Sequence, residues 1–122
     1  MSVELNHTIV HARDKAASAR FLAELLETSD PSPAGPFLAV RLDNGVTLDF
    51  EDAPEPIVSQ HYAFLVDDPL FDRAFSRIAA QKLDYWADPL LSRRGEIARR
   101  GDARGFYFRD PSGHLLELLT RL

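Results

Sequence analysis

The sequence predicts an α+β fold made of two tandem, pseudo-symmetric copies of one strand–helix–strands module, and three observations predict it. Stretches of period-two polarity are interleaved with two stretches whose apolar residues recur at three- and four-residue steps. A closing hairpin is written twice: at an offset of 68, Arg41 falls on Arg109, Asn44 on Ser112, Gly45 on Gly113, Leu48 on Leu116 and Asp49 on Glu117, while Val40 meets Phe108. The opening strand is written twice as well. At an offset of 54, "NHTIVHARD" lies on "QHYAFLVDD", with His7 on His61 and Asp14 on Asp68.

The elements follow in order. Val3, Leu5, His7 and Ile9 alternate with polar neighbours, as in a strand. Asp14 is placed to cap the helix "KAASARFLAELLE", whose Ala17, Phe21, Leu22, Leu25 and Leu26 share a face. "TSDPSPAGP" breaks that helix. Two strands, "FLAVRL" and "VTLDF", are joined by "DNG", where Asn and Gly both tolerate positive φ and predict a tight hairpin. After the polar linker "EDAPEPIVS", the second cycle opens with the strand "QHYAFLV" and the helix "PLFDRAFSRIAAQ", with Phe71, Ala74, Phe75 and Ile78 on one side. "DYWADP" reads as a short strand, 92–104 as a long Arg/Gly-rich loop, and "GFYFRD", a Pro-Ser-Gly turn and "HLLELLTRL" as the final hairpin. The first half has no clear counterpart of "DYWADP".

A length of 122 residues suits one compact domain, here with module one at about 1–53 and module two at about 59–122. Hydrophobic residues at 45% and charged residues at 27% fit a folded chain. The net charge of -5 offers no basic field for nucleic-acid phosphates, so no nucleic-acid partner is expected. Arg93, Arg94, Arg99, Arg100 and Arg104 form a local basic cluster that reads as a solvated loop, with a contact to an anionic substrate as the other reading. The absence of cysteine excludes thiolate chemistry and disulfides. No apolar run approaches the roughly 20 residues that cross a bilayer, and "MSVELNHTIVHARD" has no apolar signal region. A cytoplasmic location and no membrane partner are expected.

One residue looks misplaced. Glu117 sits among Leu115, Leu116, Leu118 and Leu119, and a carboxylate carried into an apolar core is costly unless it is paired, protonated or metal-bound. The repeat makes His7 and His61 symmetry mates, and likewise Asp49 and Glu117. If each pair points into one cavity, two imidazoles and one or two carboxylates converge as a metal site. Such donors suit zinc, nickel, manganese or ferrous iron, and leave positions open for water or substrate. His7, His61 and Glu117 are therefore the expected ligands. Asp49, shorter by a methylene and near a strand end, could be a fourth ligand or base, an acceptor for a histidine N–H, or a surface residue. His11 and His114 are expected to be partly exposed and structural, with His11 and Tyr107 as candidate acid–base residues.

On these residues the chain resembles the vicinal oxygen chelate superfamily, which includes glyoxalase I, extradiol dioxygenases, fosfomycin-resistance enzymes and bleomycin-resistance proteins. "NHTIVHARD", "QHYAFLVDD" and "YFRDPSGHLLELL" resemble its two opening strands and closing hairpin. The resemblance implies two βαβββ modules whose cupped mixed sheet surrounds a cavity with helices outside, and a homodimer. The first module is shortened against that pattern. It also implies a divalent metal on His7, His61 and Glu117 that chelates two neighbouring oxygens of a small substrate as a Lewis acid.

Two functions compete. The first is a metal-dependent lyase, isomerase or dioxygenase acting on a small oxygen-rich molecule. The second is a metal-free protein that sequesters an antibiotic or metabolite in an apolar pocket lined by Trp86, Tyr85, Tyr62, Phe106 and Tyr107. Tyr62, Trp86, Arg93, Tyr107 and His11 are the expected substrate-pocket residues.

Overall fold

The structure, a computed structural model, describes residues 2–122. The chain divides into two compact units, unit one ending at Ile57 and unit two running from Val58 to Leu122.

Unit one holds β1 (His7–Ala12), α1 (Lys15–Leu26), β2 (Ser32–Ala34), β3 (Phe37–Arg41) and β4 (Thr47–Asp52). Its sheet runs in the order β1-β4-β3-β2, with β1 parallel to β4 and the other pairs antiparallel. Strand alternation sends Val10, Ala12, Val40, Leu48 and Phe50 to one face, where α1 buries Leu22, Leu25 and Leu26. Asp14 caps α1, its carboxylate accepting from the Ala16 and Ala17 N–H groups. The buried stripe of α1 includes Ser18, Ala19 and Ala23, while Ala17 is exposed and Phe21 half-buried, a rotation from the face expected.

Unit two holds β5 (His61–Leu65), α2 (Asp68–Ala80), β6 (Tyr85–Trp86), β7 (Ala98–Arg100), β8 (Ala103–Arg109) and β9 (Leu115–Leu119). Its sheet runs β5-β9-β8-β6, with β7 also pairing β8 and β5 parallel to β9. The core is aromatic. Phe106 makes edge contacts with Phe71, Phe75 and Tyr85 at centroid distances of 5.3, 5.5 and 6.0 Å and stacks at 5.4 Å on Phe108.

Several expectations need correction. The strand missing from the first half is β2, three exposed residues inside the stretch read as a breaker, so unit one is a complete βαβββ module. Its proline sits on an edge strand, where a missing N–H is tolerated. The loop expected at 92–104 contains β7, turned back onto β8 at Gly101, whose φ is 59°. Alternation that reads as starting at Val3 becomes strand only at His7; Val3 and Leu5 are exposed. The cap of α2 is Asp67, whose carboxylate accepts from the Leu70 N–H at 2.9 Å. Asp68 is thereby released to pair with Arg104 at 3.0 Å and Arg121 at 3.1 Å.

The two hairpin turns have the same backbone pattern, tight as expected, but in neither does the residue before the glycine take a positive φ. The Gly45 N–H bonds the Leu42 carbonyl at 3.0 Å, and the Leu42 N–H bonds the Val46 carbonyl at 2.8 Å. In unit two the Gly113 N–H bonds the Asp110 carbonyl and the Asp110 N–H bonds the His114 carbonyl, both at 3.0 Å. Within these turns only the glycines, Gly45 (φ 87°) and Gly113 (φ 92°), take positive φ, so each four-residue turn closes on its glycine.

Candidate metal centre

In unit two the strands bring a histidine and a carboxylate together. His61, on the exposed side of β5, and Glu117, on the same side of β9, face each other with Nε2 and Oε1 3.1 Å apart. The His61 Nδ1–H donates to the Leu115 carbonyl at 3.0 Å, which fixes the ring and leaves Nε2 toward the carboxylate. A proton or a metal ion between Nε2 and Oε1 satisfies both atoms.

Glu117 is not in the apolar core. Its side chain is 18% exposed, because "LLELL" is two-faced: Leu116 and Leu118 are buried beneath α2's side of the sheet, while Leu115, Glu117 and Leu119 lie on the other. A continuous apolar run conceals this alternation.

Tyr107 sits directly across from Glu117 in the ladder, and Trp86 across from Tyr107. The Tyr107 ring stacks on His61 at 5.9 Å. Burial, then the charge of Glu117 and a hydrogen bond to it, push the Tyr107 phenol above its usual range, so it remains a neutral donor at pH 7. Tyr62 lies on the opposite face of β5 with its ring edge-on to His114 at 5.6 Å, and Tyr85 and Phe106 belong to the aromatic core. Of the five aromatic residues expected to line a pocket, Trp86 and Tyr107 share the face of His61 and Glu117.

Arg93 lies on an exposed loop that Asp88 ties together, its carboxylate accepting from the Arg93 N–H at 2.8 Å, the Ser92 N–H and the Ser92 hydroxyl. Those bonds, the Ser92 hydroxyl first and the Arg93 N–H next, hold the Asp88 carboxyl below its ordinary range.

Unit one holds His7 and Asp49 on the exposed side of β1 and β4. The register matches unit two: Ile9 pairs with Asp49 as Ala63 pairs with Glu117, so each histidine lies two residues before its carboxylate's partner. The side chains differ. The His7 Nδ1–H donates to the neighbouring Asn6 side-chain carbonyl at 2.7 Å. Further along the same face His11 pairs with Glu51, with Nε2 and Oε1 3.3 Å apart, so His11 is exposed but partnered. Among the described residues, neither unit by itself gathers three His, Asp or Glu side chains into a ligand cluster.

His114 departs most from expectation: it is 1% exposed. With Asp110 and Ser112 it forms a buried polar turn in which the Asp110 carboxylate accepts from the Ser112 and His114 N–H groups at 3.0 and 2.8 Å. Burial pushes the Asp110 carboxyl upward against those bonds. The spacing Asp-x-Ser-x-His carries a signal for such a side-chain-closed turn. It was hidden because the same positions in the first hairpin are the apolar Leu42 and Val46.

No family model matches the chain. Two solved structures, oxidase ChaP-H1 and oxidase ChaP-H2, are 55% and 54% identical to it. They align over 99% and 100% of this chain and 98% and 96% of their own, each with a TM-score of 0.96. A glyoxalase/dioxygenase from Nostoc punctiforme is 25% identical over 98% of this chain and 91% of its own, with a TM-score of 0.68. Among curated proteins, the metallothiol transferase FosB of Shouchella clausii (strain KSM-K16) is 37% identical over 60 residues, 49% of this chain. The matched stretch spans 37% of that protein. With its two βαβββ units, the doubled hairpin and these relatives, the chain belongs to the vicinal oxygen chelate superfamily.

Proposed function

We propose that this protein is a divalent-metal-dependent enzyme acting on a small oxygen-rich substrate, with His7, His61 and Glu117 as the metal ligands. The observation that carries the reading is the His61–Glu117 pair: an imidazole with its Nδ1 already committed presents Nε2 to a carboxylate at 3.1 Å. This donor set fits zinc, nickel, manganese or ferrous iron. When bound, the metal would act as a Lewis acid toward two neighbouring substrate oxygens.

The chain's own residues do the rest. Leu115 holds the His61 tautomer. Tyr107, kept protonated beside Glu117, donates its O–H to that carboxylate and leaves its oxygen to accept from a substrate hydroxyl, while Trp86 supplies a flat apolar wall. Asp49 is a fourth ligand or a base, Arg93 a contact for an anionic substrate, and His11, paired with Glu51, an acid–base residue on the same sheet face as His7. The relatives at 54–55% identity are named oxidases, which favours an oxidation with dioxygen as co-substrate over a lyase or isomerase reaction. A homodimer is part of this reading, to be checked by light scattering after gel filtration.

The experiment is elemental analysis of protein purified without a histidine tag, with dioxygen uptake followed on a panel of catechols and hydroxyquinones. One divalent metal per chain, lost in His61→Ala, is expected. A metal-free protein that binds such compounds unchanged after chelation would overturn the enzyme reading and leave a sequestering protein.

A further inference from the structure

We propose that His114 is the positioning residue for His61. This rests on the metal reading above, in that the ring it orients is a proposed ligand. His114 does not face the open side of the sheet; it is buried in the turn behind it. Its Nδ1 accepts the Gln60 N–H at 3.0 Å, which places the ring proton on Nε2. The Gln60 carbonyl in turn accepts the Leu115 N–H at 2.9 Å, and the Leu115 carbonyl accepts the His61 Nδ1–H at 3.0 Å. Three bonds therefore run from the His114 ring through the backbone of residues 60 and 115 to the His61 ring. The His114 backbone is itself fixed, because its N–H goes to the Asp110 carboxylate and its carbonyl accepts from the Asp110 N–H. The Ser59 hydroxyl and the Arg109 guanidinium both bond the Gly113 carbonyl, at 3.0 and 2.8 Å, closing the turn onto the start of β5.

Unit one is the internal control. Its turn repeats the backbone bonds, and its Thr47 N–H reaches the Asn6 carbonyl at 2.9 Å just as Leu115 reaches Gln60. Val46 occupies the place of His114 and offers no acceptor. There the histidine ring, His7, turns to its neighbour Asn6 instead of to a carbonyl of the adjoining strand. The buried acceptor and the cross-strand orientation occur together in unit two and are both missing in unit one. Partners outside the ligand sphere that orient a ligating imidazole influence metal affinity by about 10- to 100-fold.

The test compares two variants. His114→Asn keeps an acceptor, its side-chain oxygen, where Nδ1 lies, and loses the ring; His114→Leu keeps apolar bulk and loses the acceptor. Mn(II) affinity is measured by calorimetry. Independently of any metal, nitrogen-15 NMR of the neutral His61 ring reads which nitrogen carries its proton. Positioning predicts that His114→Leu weakens Mn(II) binding about tenfold or more and mixes the His61 tautomers, with both restored in His114→Asn. A purely space-filling role predicts the reverse order, and that result would overturn the proposal, as would an unchanged His61 ring in His114→Leu. Should His114→Leu fail to fold, the wild type alone decides: a nitrogen–nitrogen coupling across the Gln60 N–H and the His114 Nδ1 is expected, and its absence would contradict the proposal. If wild type binds no Mn(II) yet the NMR results hold, the positioning stands and the metal reading fails.

Discussion

Unit one and unit two share a backbone register to the residue, yet they use it differently. Ile9 opposite Asp49 repeats Ala63 opposite Glu117, and the turns at Gly45 and Gly113 close with the same hydrogen bonds. In unit two the histidine meets its carboxylate at 3.1 Å, its Nδ1 is tied to the neighbouring strand, and a buried Asp110–His114 turn supports it. In unit one the carboxylate is a methylene shorter, the turn is apolar, and the histidine–carboxylate contact is His11–Glu51, four residues beyond His7 on β1 and two beyond Asp49 on β4. At those positions unit two has Leu65 and Leu119. The difference teaches that hydrophobic pattern and turn geometry set which residues lie near one another on a sheet face, whereas one methylene and one turn residue accompany the His61–Glu117 contact of unit two.

The cores differ as much as the sites, and the largest expected effect tests that. Val40 and Phe108 occupy equivalent positions, both fully buried, but Phe108 belongs to the aromatic cluster around Phe106. Phe108→Ala should cost about 3–5 kcal/mol and Val40→Ala about 2 kcal/mol, measured by urea unfolding. Equal losses would mean that the two cores are packed alike. Next in size, Glu117→Asp gives unit two the carboxylate of unit one. It should break the contact with His61 and weaken divalent-metal binding by about tenfold, while stability stays within about 0.5 kcal/mol. Metal titration and unfolding of the same sample check both halves of that statement.

The smallest effect concerns the helix starts. In unit one the Lys15 N–H bonds the Asp52 carboxylate at 2.8 Å; in unit two Asp68 takes the guanidinium groups of Arg104 and Arg121. The hydrogen bond from Arg104, and after it that from Arg121, hold the Asp68 carboxyl below its usual range. The folded chain therefore binds a proton there less readily than the unfolded chain. The stabilisation is complete above the unfolded carboxylate value of about 4 and is lost as pH falls through the lower folded value. In Asp68→Asn the acid limb of the stability–pH curve should be flatter than in wild type, with the two curves parallel above about pH 5. An identical acid limb would remove Asp68 from the account. Asp68 is exposed, so the effect should be modest and shrink in salt.

Most of the fold was legible because it is periodic and repeated. Both helices, the opening strands and the hairpins follow from apolar spacing, and the offsets of 68 and 54 survive as shared register, apart from the helix start, where Asp67 takes the cap. The short strands β2 and β7 were not legible, since three residues held mainly by backbone pairing leave no apolar pattern. At the site, the pairing of His61 with Glu117 could be read from the repeat, whereas the exposure of Glu117 could not, because leucines on both faces of β9 mask its alternation. The burial of His114 was missed because a polar residue after a turn reads as surface. The hydrogen bonds to the Asp110 carboxylate and from the Gln60 N–H help make its interior position tolerable.

The central claim is that the doubled opening strand and doubled hairpin supply one set of metal ligands. Its most direct measurement is calorimetric titration of Mn(II) into tag-free, metal-stripped wild type and into His7→Ala, His61→Ala and Glu117→Gln. The account predicts one site per chain and a loss of about 100-fold or more in each variant, beyond what removal of an outer partner causes. Undiminished binding in Glu117→Gln, with the fold intact, would contradict it.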